Sequence, residues 1–304
     1  MSDRPAAGRA AKCGRLAPRR VLRTTLRWLA LAMTALIVLL AIEALIATST
    51  VPDDGYRAPS AAPRAFGTAD VERPRLGYVV LGDSTATGRG APYERGIAVA
   101  TAAHLAVRRP VTLTNLAVSG AQFGDVRRDQ LPAAVRSRPD VVLVAAGAND
   151  VTGLTRSRSV RDDLEQIVDR LRAVRCDVAI VVTASPDVGA VPRLAQPLRA
   201  VAGWRTKQVN AAIEDVVRER GLVLAPIAAR TGPLFRADRS LFAADDFHPS
   251  AAGYATWVPV IEAALDRALA HTDTTRGCHG PVARVMALRR EGAAVTVTYA
   301  ASPR

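Results

Sequence analysis

The sequence predicts an α/β protein in which helices cover both faces of a parallel sheet, preceded by one transmembrane helix. Short β-rich runs that are apolar along their whole length alternate with longer segments of helical periodicity. Strands that are apolar on both faces are typical of a parallel sheet at the centre of three layers. A separate apolar run near the N-terminus is long enough to cross a bilayer.

The first 48 residues combine a basic segment with this apolar run. Residues 1–27 hold eight basic side chains and one acid, and the twenty residues from Trp28 to Ala47 carry one charge, Glu43. At about 1.5 Å per residue, twenty helical residues extend about 30 Å, the thickness of a bilayer core. The basic flank predicts a signal-anchor over 28–48, with a cytoplasmic N-terminus and the remaining chain outside. The alternative is a cleaved signal peptide and a secreted domain, but signal peptides usually have apolar regions of only about 7–15 residues.

Residues 49–74 are rich in Pro, Ala and charged residues, which predicts a linker, and the α/β domain is expected over 75–270. Strands are predicted at 76–82, 111–118, 140–147, 177–184 and 221–228. Helices are predicted near 93–108, 125–137, 158–174, 204–220 and 250–270. Because ligand sites in such sheets lie beyond the carboxyl ends of the strands, the residues after each strand are the candidates for function.

Polar residues and glycines follow the first three predicted strands. These are Gly82-Asp83-Ser84, Ser119-Gly120 and Gly147-Ala148-Asn149-Asp150, and a fourth cluster, "AADDFHPSAAGY", comes just before the last helix. Together they supply a hydroxyl, a carboxylate, an imidazole and several N–H donors. Acyl transfer through a serine needs these groups as nucleophile, orienting acid, general base and oxyanion hole.

Each of these groups has an expected role. Ser84 attacks the substrate carbonyl, His248 is the general base, and Asp245, three residues earlier, orients the imidazole. The backbone N–H groups of Ser84 and Gly120 and the side-chain amide of Asn149 are the expected oxyanion hole. A glycine at 120 also lets substrate approach the backbone closely.

The four blocks Gly-Asp-Ser, the glycine after strand two, Gly-x-Asn-Asp and Asp-x-x-His-Pro resemble, in this order, those of the SGNH hydrolase superfamily, also called GDSL esterases and lipases. The resemblance covers about 74–270 and implies a three-layer α/β/α flavodoxin-like sandwich, the SGNH hydrolase fold, with a serine triad. The family's signature residues correspond to Ser84, Gly120, Asn149 and His248, with Asp245 as the triad acid. One departure is the sequence after the serine, "TATGRG", where many relatives have a leucine.

The sequence therefore predicts a membrane-anchored, extracytoplasmic serine esterase or lipase that hydrolyses carboxylic esters without a cofactor. Its expected substrate is a lipid or an acylated envelope component. The superfamily also contains deacetylases and acyltransferases, so an O-acetyl esterase or acyltransferase acting on envelope glycans stays open. A silent binding module is disfavoured because Ser84, Asp245 and His248 are all retained. The histidines and cysteines do not have metal-ligand spacing, and no motif indicates nucleic-acid binding.

Three features outside the blocks leave alternatives. Cys176 and Cys278 either form a disulfide or stay as buried thiols. Residues 185–203 are a proline-punctuated segment after the fourth strand, and they form either a wall of the substrate site or a plain connection. The tail at 271–304 contains a predicted β-hairpin.

Overall fold

The apolar run near the N-terminus forms helix α1, Pro18–Ser49, in the computed structural model. It begins ten residues before the predicted span because Pro18 is tolerated in a first helical turn and no helix-breaking residue follows it. Within α1, the stretch Leu22–Ile46 is long and apolar enough to cross a membrane by length and composition, and its large apolar side chains are exposed. The helix belongs to a unit, Met1–Thr50, that is separate from Val51–Arg304.

The structure describes residues 18–49, 56–68, 74–274, 285–291 and 294–299. The strands are β1 Arg64–Phe66, β2 Leu76–Gly82, β3 Val111–Asn115, β4 Val141–Ala145, β5 Ala179–Thr183, β6 Val223–Ala225, β7 Val285–Glu291 and β8 Ala294–Tyr299. After α1, the helices are α2 Ile97–Ala106, α3 Phe123–Asp125, α4 Leu131–Ser137, α5 Ala148–Thr152, α6 Ser157–Val174, α7 Leu198–Glu219, α8 Ile227–Ala237 and α9 Ala251–Thr274.

The main sheet has the order β1-β3-β2-β4-β5-β6, and β2 to β6 are parallel. This order of the parallel strands is the flavodoxin-like one, in which the connections change direction between β2 and β4. Helices α4, α6 and α7 pack against one another as one layer, and α2, α8 and α9 form another. Every residue of β4 and β5 is buried, which explains why their sequences are apolar throughout. The predicted three-layer α/β/α fold is confirmed.

Two elements differ from the sequence expectation. Strand β1 lies within the segment predicted as a linker and pairs antiparallel with β3, where the Arg75 guanidinium donates to the carbonyls of Phe66 and Val111. A three-residue strand is too short to show periodicity. The fifth predicted strand, 221–228, is shortened to the three residues of β6. Helix α8 follows β6 directly, although the Gly232-Pro233 pair inside α8 disfavours a helix.

The C-terminal tail contains a two-stranded antiparallel sheet of β7 and β8, in which Glu291 pairs with Ala294. Cys176 is disulfide-bonded. Whether its partner is Cys278, one of the two alternatives from the sequence, lies outside the described residues.

Candidate active site

A buried serine, Ser84, follows the first parallel strand, β2, at the carboxyl edge of the sheet. After Gly82, the backbone folds into a tight turn in which Thr87 N–H donates to the Asp83 carbonyl at 3.1 Å and Arg89 N–H to the Ser84 carbonyl at 3.0 Å. The Thr87 hydroxyl donates to the same Ser84 carbonyl at 2.8 Å. The turn therefore fixes Ser84 by its backbone and leaves its hydroxyl available.

Ser84 lies against an imidazole that comes from the other end of the domain. The His248 Nε2 atom is 2.8 Å from Ser84 Oγ, and His248 Nδ1 is 2.5 Å from Asp245 Oδ2. All three side chains are buried. The structure thus brings together the three residues that the sequence predicts as nucleophile, base and acid, within hydrogen-bond reach of one another.

Hydrogen bonds to Asp245 and close packing against Gly90 fix the loop that carries His248. The second carboxylate oxygen of Asp245 accepts the backbone N–H groups of Phe247 at 3.0 Å and His248 at 2.9 Å. Burial acts to raise the pKa of Asp245, but its hydrogen bonds with His248 outweigh this and hold the pKa well below the usual range. Gly90 packs against this loop with φ +94°, and a Cβ there would lie 2.5 Å from the Pro249 carbonyl oxygen, so only glycine fits.

The predicted oxyanion donors lie on the loops after β3 and β4. The Asn149 side-chain amide donates to the Ala121 carbonyl at 3.1 Å, which ties it to the loop that holds Gly120. Gly120 has φ +88°, a left-handed conformation that favours glycine. Among the described residues, the backbone N–H groups of Ser84 and Gly120 donate to no acceptor, as an oxyanion hole requires. No hydrogen bond joins Ser84 to Gly120 or Asn149 within the described part of the chain.

Two buried aspartates that sequence reasoning gave no role lie under this site. Asp83 accepts the backbone N–H and the hydroxyl of Thr85, both at 2.8 Å, and Asp150 accepts the Phe123 N–H at 3.2 Å. Burial raises the pKa of Asp83, and burial raises that of Asp150 to about 7. Each carboxyl keeps one buried oxygen without a hydrogen-bond partner in the described residues. Their only sequence signal is their place within the first and third blocks.

Arg193 is the third residue that sequence reasoning missed. It lies in the segment 185–203, its guanidinium donates to the backbone carbonyl of Asp245, and it stands 3.8 Å from the Asp245 carboxylate. Its side chain is only 10% exposed and packs over the Phe247 ring at 5.4 Å. The segment is therefore more than a connection, because it holds the loop of the candidate acid and base.

A narrow pocket opens beside Ser84, and this same segment forms part of its wall. The lining residues come from the nucleophile turn, the segment 185–203, helix α8, the His248 loop and helix α9. The apolar ones are Val188, Val191, Phe235, Phe242, Phe247 and Trp257. The arrangement places the hydroxyl of Ser84 in the wall of a largely apolar pocket, which suits an ester with a hydrocarbon part.

Comparison with known proteins identifies the family to which this chain is similar. The family model "GDSL-like Lipase/Acylhydrolase family" matches residues 80–256, more than half of the chain. The GDSL-like esterase Rv1075c of Mycobacterium tuberculosis is 33% identical over 198 residues, which are 63% of this chain and 62% of that protein. The chain thus spans less than two thirds of that relative's length.

Solved structures share the fold at low identity. LAE5, an alpha/beta hydrolase enzyme from the metagenome of Lake Arreo, has a TM-score of 0.52 at 20% identity, covering 64% of this chain and 96% of that one. A member of the lipolytic protein G-D-S-L family from Veillonella parvula has a TM-score of 0.52 at 16% identity, covering 63% and 99%. Both show that nearly two thirds of this chain share their fold.

The buried carboxyl of Asp150 predicts a pH-dependent stability. Its pKa of about 7 lies above the ordinary value of 3.8, so the folded state holds a proton that the unfolded state releases, and stability falls as pH rises from about 4 to 7. At about 1.4 kcal/mol per pKa unit, the loss of stability is about 4 kcal/mol. Asp150→Asn keeps the acceptor for Phe123 and removes the titration.

Urea unfolding of the full chain at pH 5 to 8 tests this expectation. The free energy of unfolding of wild type should fall relative to that of Asp150→Asn as pH rises. Asp162→Asn, at an aspartate whose side chain is 54% exposed, is the matched control and should follow wild type. Parallel curves for wild type and Asp150→Asn would contradict the prediction.

Proposed function

Because the chain belongs to the GDSL-like lipase/acylhydrolase family, we propose that it hydrolyses carboxylic esters with Ser84 as nucleophile. His248 is the general base and Asp245 the orienting acid. The observation that supports this most strongly is the continuous hydrogen-bonded line from Asp245 through His248 to Ser84, with distances of 2.5 and 2.8 Å.

The reaction follows from this line. Ser84 Oγ attacks the ester carbonyl while His248 Nε2 accepts the hydroxyl proton, and Asp245 stabilises the imidazolium that forms. The N–H groups of Ser84 and Gly120 and the Asn149 amide bind the oxyanion of the tetrahedral intermediate. His248 then returns the proton to the departing alcohol. A water molecule attacks the acyl-enzyme by the same route and releases the acid.

The domain is proposed to act outside the membrane, anchored by α1. The apolar stretch Leu22–Ile46 has the length of a membrane span, and the arginines that precede Trp28 favour a cytoplasmic N-terminus. An anchored enzyme of this orientation meets lipids and acylated envelope components. Acetyl removal from an envelope glycan would use the same residues and differ only in the alcohol that leaves.

The triad assignment predicts the activity of three variants of the full chain on p-nitrophenyl esters. Ser84→Ala should reduce hydrolysis to the uncatalysed background, because no other hydroxyl replaces the nucleophile. Asn149→Ala should lower kcat about 10²- to 10³-fold, the usual effect of removing one oxyanion donor. Ser137→Ala, at a serine whose hydroxyl donates to the Ala134 carbonyl, is the matched control and should keep full activity. Hydrolysis by Ser84→Ala at the wild-type rate would refute the assignment.

The proposed orientation of the chain in the membrane predicts which cysteines react with a maleimide that cannot cross the membrane. In a Cys176→Ser, Cys278→Ser variant, Cys13 should react only after the cells are permeabilised, because it precedes α1. Val107→Cys in a variant without the three native cysteines should react in intact cells, since Val107 is 86% exposed in the α/β domain. Labelling of Cys13 in intact cells would show that the chain has the opposite orientation. Recovery of a chain that lacks Cys13 would show that the N-terminal segment is cleaved.

A further inference from the structure

The guanidinium of Arg193 and the imidazole of His248 lie against the same oxygen of Asp245. Arg193 Nη2 is 3.8 Å from Asp245 Oδ2, and His248 Nδ1 is 2.5 Å from that atom. The Arg193 guanidinium also donates to the backbone carbonyl of Asp245. Building on the proposed function, we propose that Arg193 is a positioning residue whose positive charge keeps His248 in the unprotonated form that accepts the proton of Ser84.

Burial makes the charge of Arg193 effective at this distance. Its side chain is 10% exposed and that of Asp245 is 3% exposed, so little water lies around the two groups to screen them. The guanidinium packs over the Phe247 ring, 5.4 Å from its centroid, and the backbone N–H of Arg193 donates to the Asp246 carbonyl at 3.1 Å. These contacts fix the charge in position relative to the loop that carries the candidate acid and base.

The position of this charge determines its effect on the base. A protonated His248 cannot accept the proton of Ser84, so hydrolysis falls at low pH as the imidazolium forms. The guanidinium repels an imidazolium, and it also offsets part of the negative charge of Asp245 that attracts one. Both effects oppose protonation of His248. Arg193 should therefore extend hydrolysis to lower pH.

The other aspartates near Arg193 have cationic partners of their own. Asp246 is the next residue of the loop, and the Arg239 guanidinium donates to both of its carboxylate oxygens. Asp187 lies on the same segment as Arg193 and forms an ion pair with Arg236. Neither aspartate depends on the guanidinium of Arg193 for its ion pair.

The nucleophile turn and helix α9 bring further ionisable groups towards the imidazole. Burial raises the pKa of Asp83 and favours its neutral form, and burial raises the pKa of Tyr254 well above its usual range. The Arg89 guanidinium packs over the Tyr56 ring, 5.2 Å from its centroid. These groups are the same in every variant at position 193, so a change in the pH profile reports the charge at that position.

The pH dependence of kcat/KM for p-nitrophenyl butyrate, measured with the full chain, tests the role of Arg193. Arg193→Gln and Arg193→Met remove the charge, so the midpoint of the acid limb should move up by about one pH unit, and the rate below it should fall about tenfold. Arg193→Lys keeps the charge and should keep the midpoint of wild type. Equal midpoints in wild type and both neutral variants would overturn the inference, as would an equal shift in Arg193→Lys.

Arg199→Gln separates the charge of Arg193 from the packing of its segment. The Arg199 guanidinium donates to the backbone carbonyls of Leu194 and Pro192 at 2.8 and 3.0 Å, and it forms no ion pair with Asp245 in the part of the chain that the structure describes. Its acid limb should coincide with that of wild type. A shift equal to that of Arg193→Gln would show that the limb follows the packing of the segment, and the inference would fail.

A second readout does not require turnover. The rate at which a fluorophosphonate labels Ser84 should show the same shift of its acid limb in the neutral variants. Arg193→Met keeps an apolar stem over the Phe247 ring and so tests the charge with the packing retained, and circular dichroism at each pH checks that the variant is folded. Absence of any Ser84-dependent hydrolysis by wild type would instead refute the proposed function.

Discussion

The hydrogen bond between His248 Nε2 and Ser84 Oγ joins groups that lie 164 residues apart in the chain, and the architecture of the site depends on it. The parallel sheet places β2 centrally, so the Ser84 turn lies at the carboxyl edge between the loops that follow β3 and β4. Contacts around this turn bring the His248 loop to it. Gly90 has no side chain to hinder that loop, and the Tyr254 hydroxyl, from α9, donates to the Arg89 carbonyl at 2.7 Å.

Three buried aspartates near this bond have different electrostatic environments. Asp245 pairs with an imidazole and faces the Arg193 guanidinium at 3.8 Å, and its hydrogen bonds favour the charged form. Asp83 and Asp150 form no ion pair among the described residues, and burial favours their neutral forms. Negative charge is thus concentrated at the carboxylate that contacts His248, which is where the proposed mechanism needs it to stabilise an imidazolium. The other two aspartates act through the backbone N–H groups that they hold.

Sequence reasoning reached the elements that carry a strong local signal. The run 76–82 is apolar on both faces and is bounded by an arginine and an aspartate, so its limits agree with β2 residue for residue. Ser84, Asp245 and His248 have distinctive neighbours and strand-end positions. Strand β1 and the contact between Arg193 and Asp245 exist only through tertiary pairing, which leaves no periodicity in the sequence. The Gly232-Pro233 pair disfavours a helix, so sequence reasoning did not predict α8. The helix forms because packing of Phe235 against Phe242 and Trp257 outweighs the local propensity.

The central claim is that His248 activates Ser84 as a nucleophile, and covalent labelling tests it most directly. The full chain would be treated with a fluorophosphonate, and the modified peptide identified by mass spectrometry. The account predicts one adduct per chain, on Ser84, and a labelling rate that falls steeply in His248→Ala because the hydroxyl loses its base. An adduct on another residue, or equal labelling rates with and without His248, would contradict it.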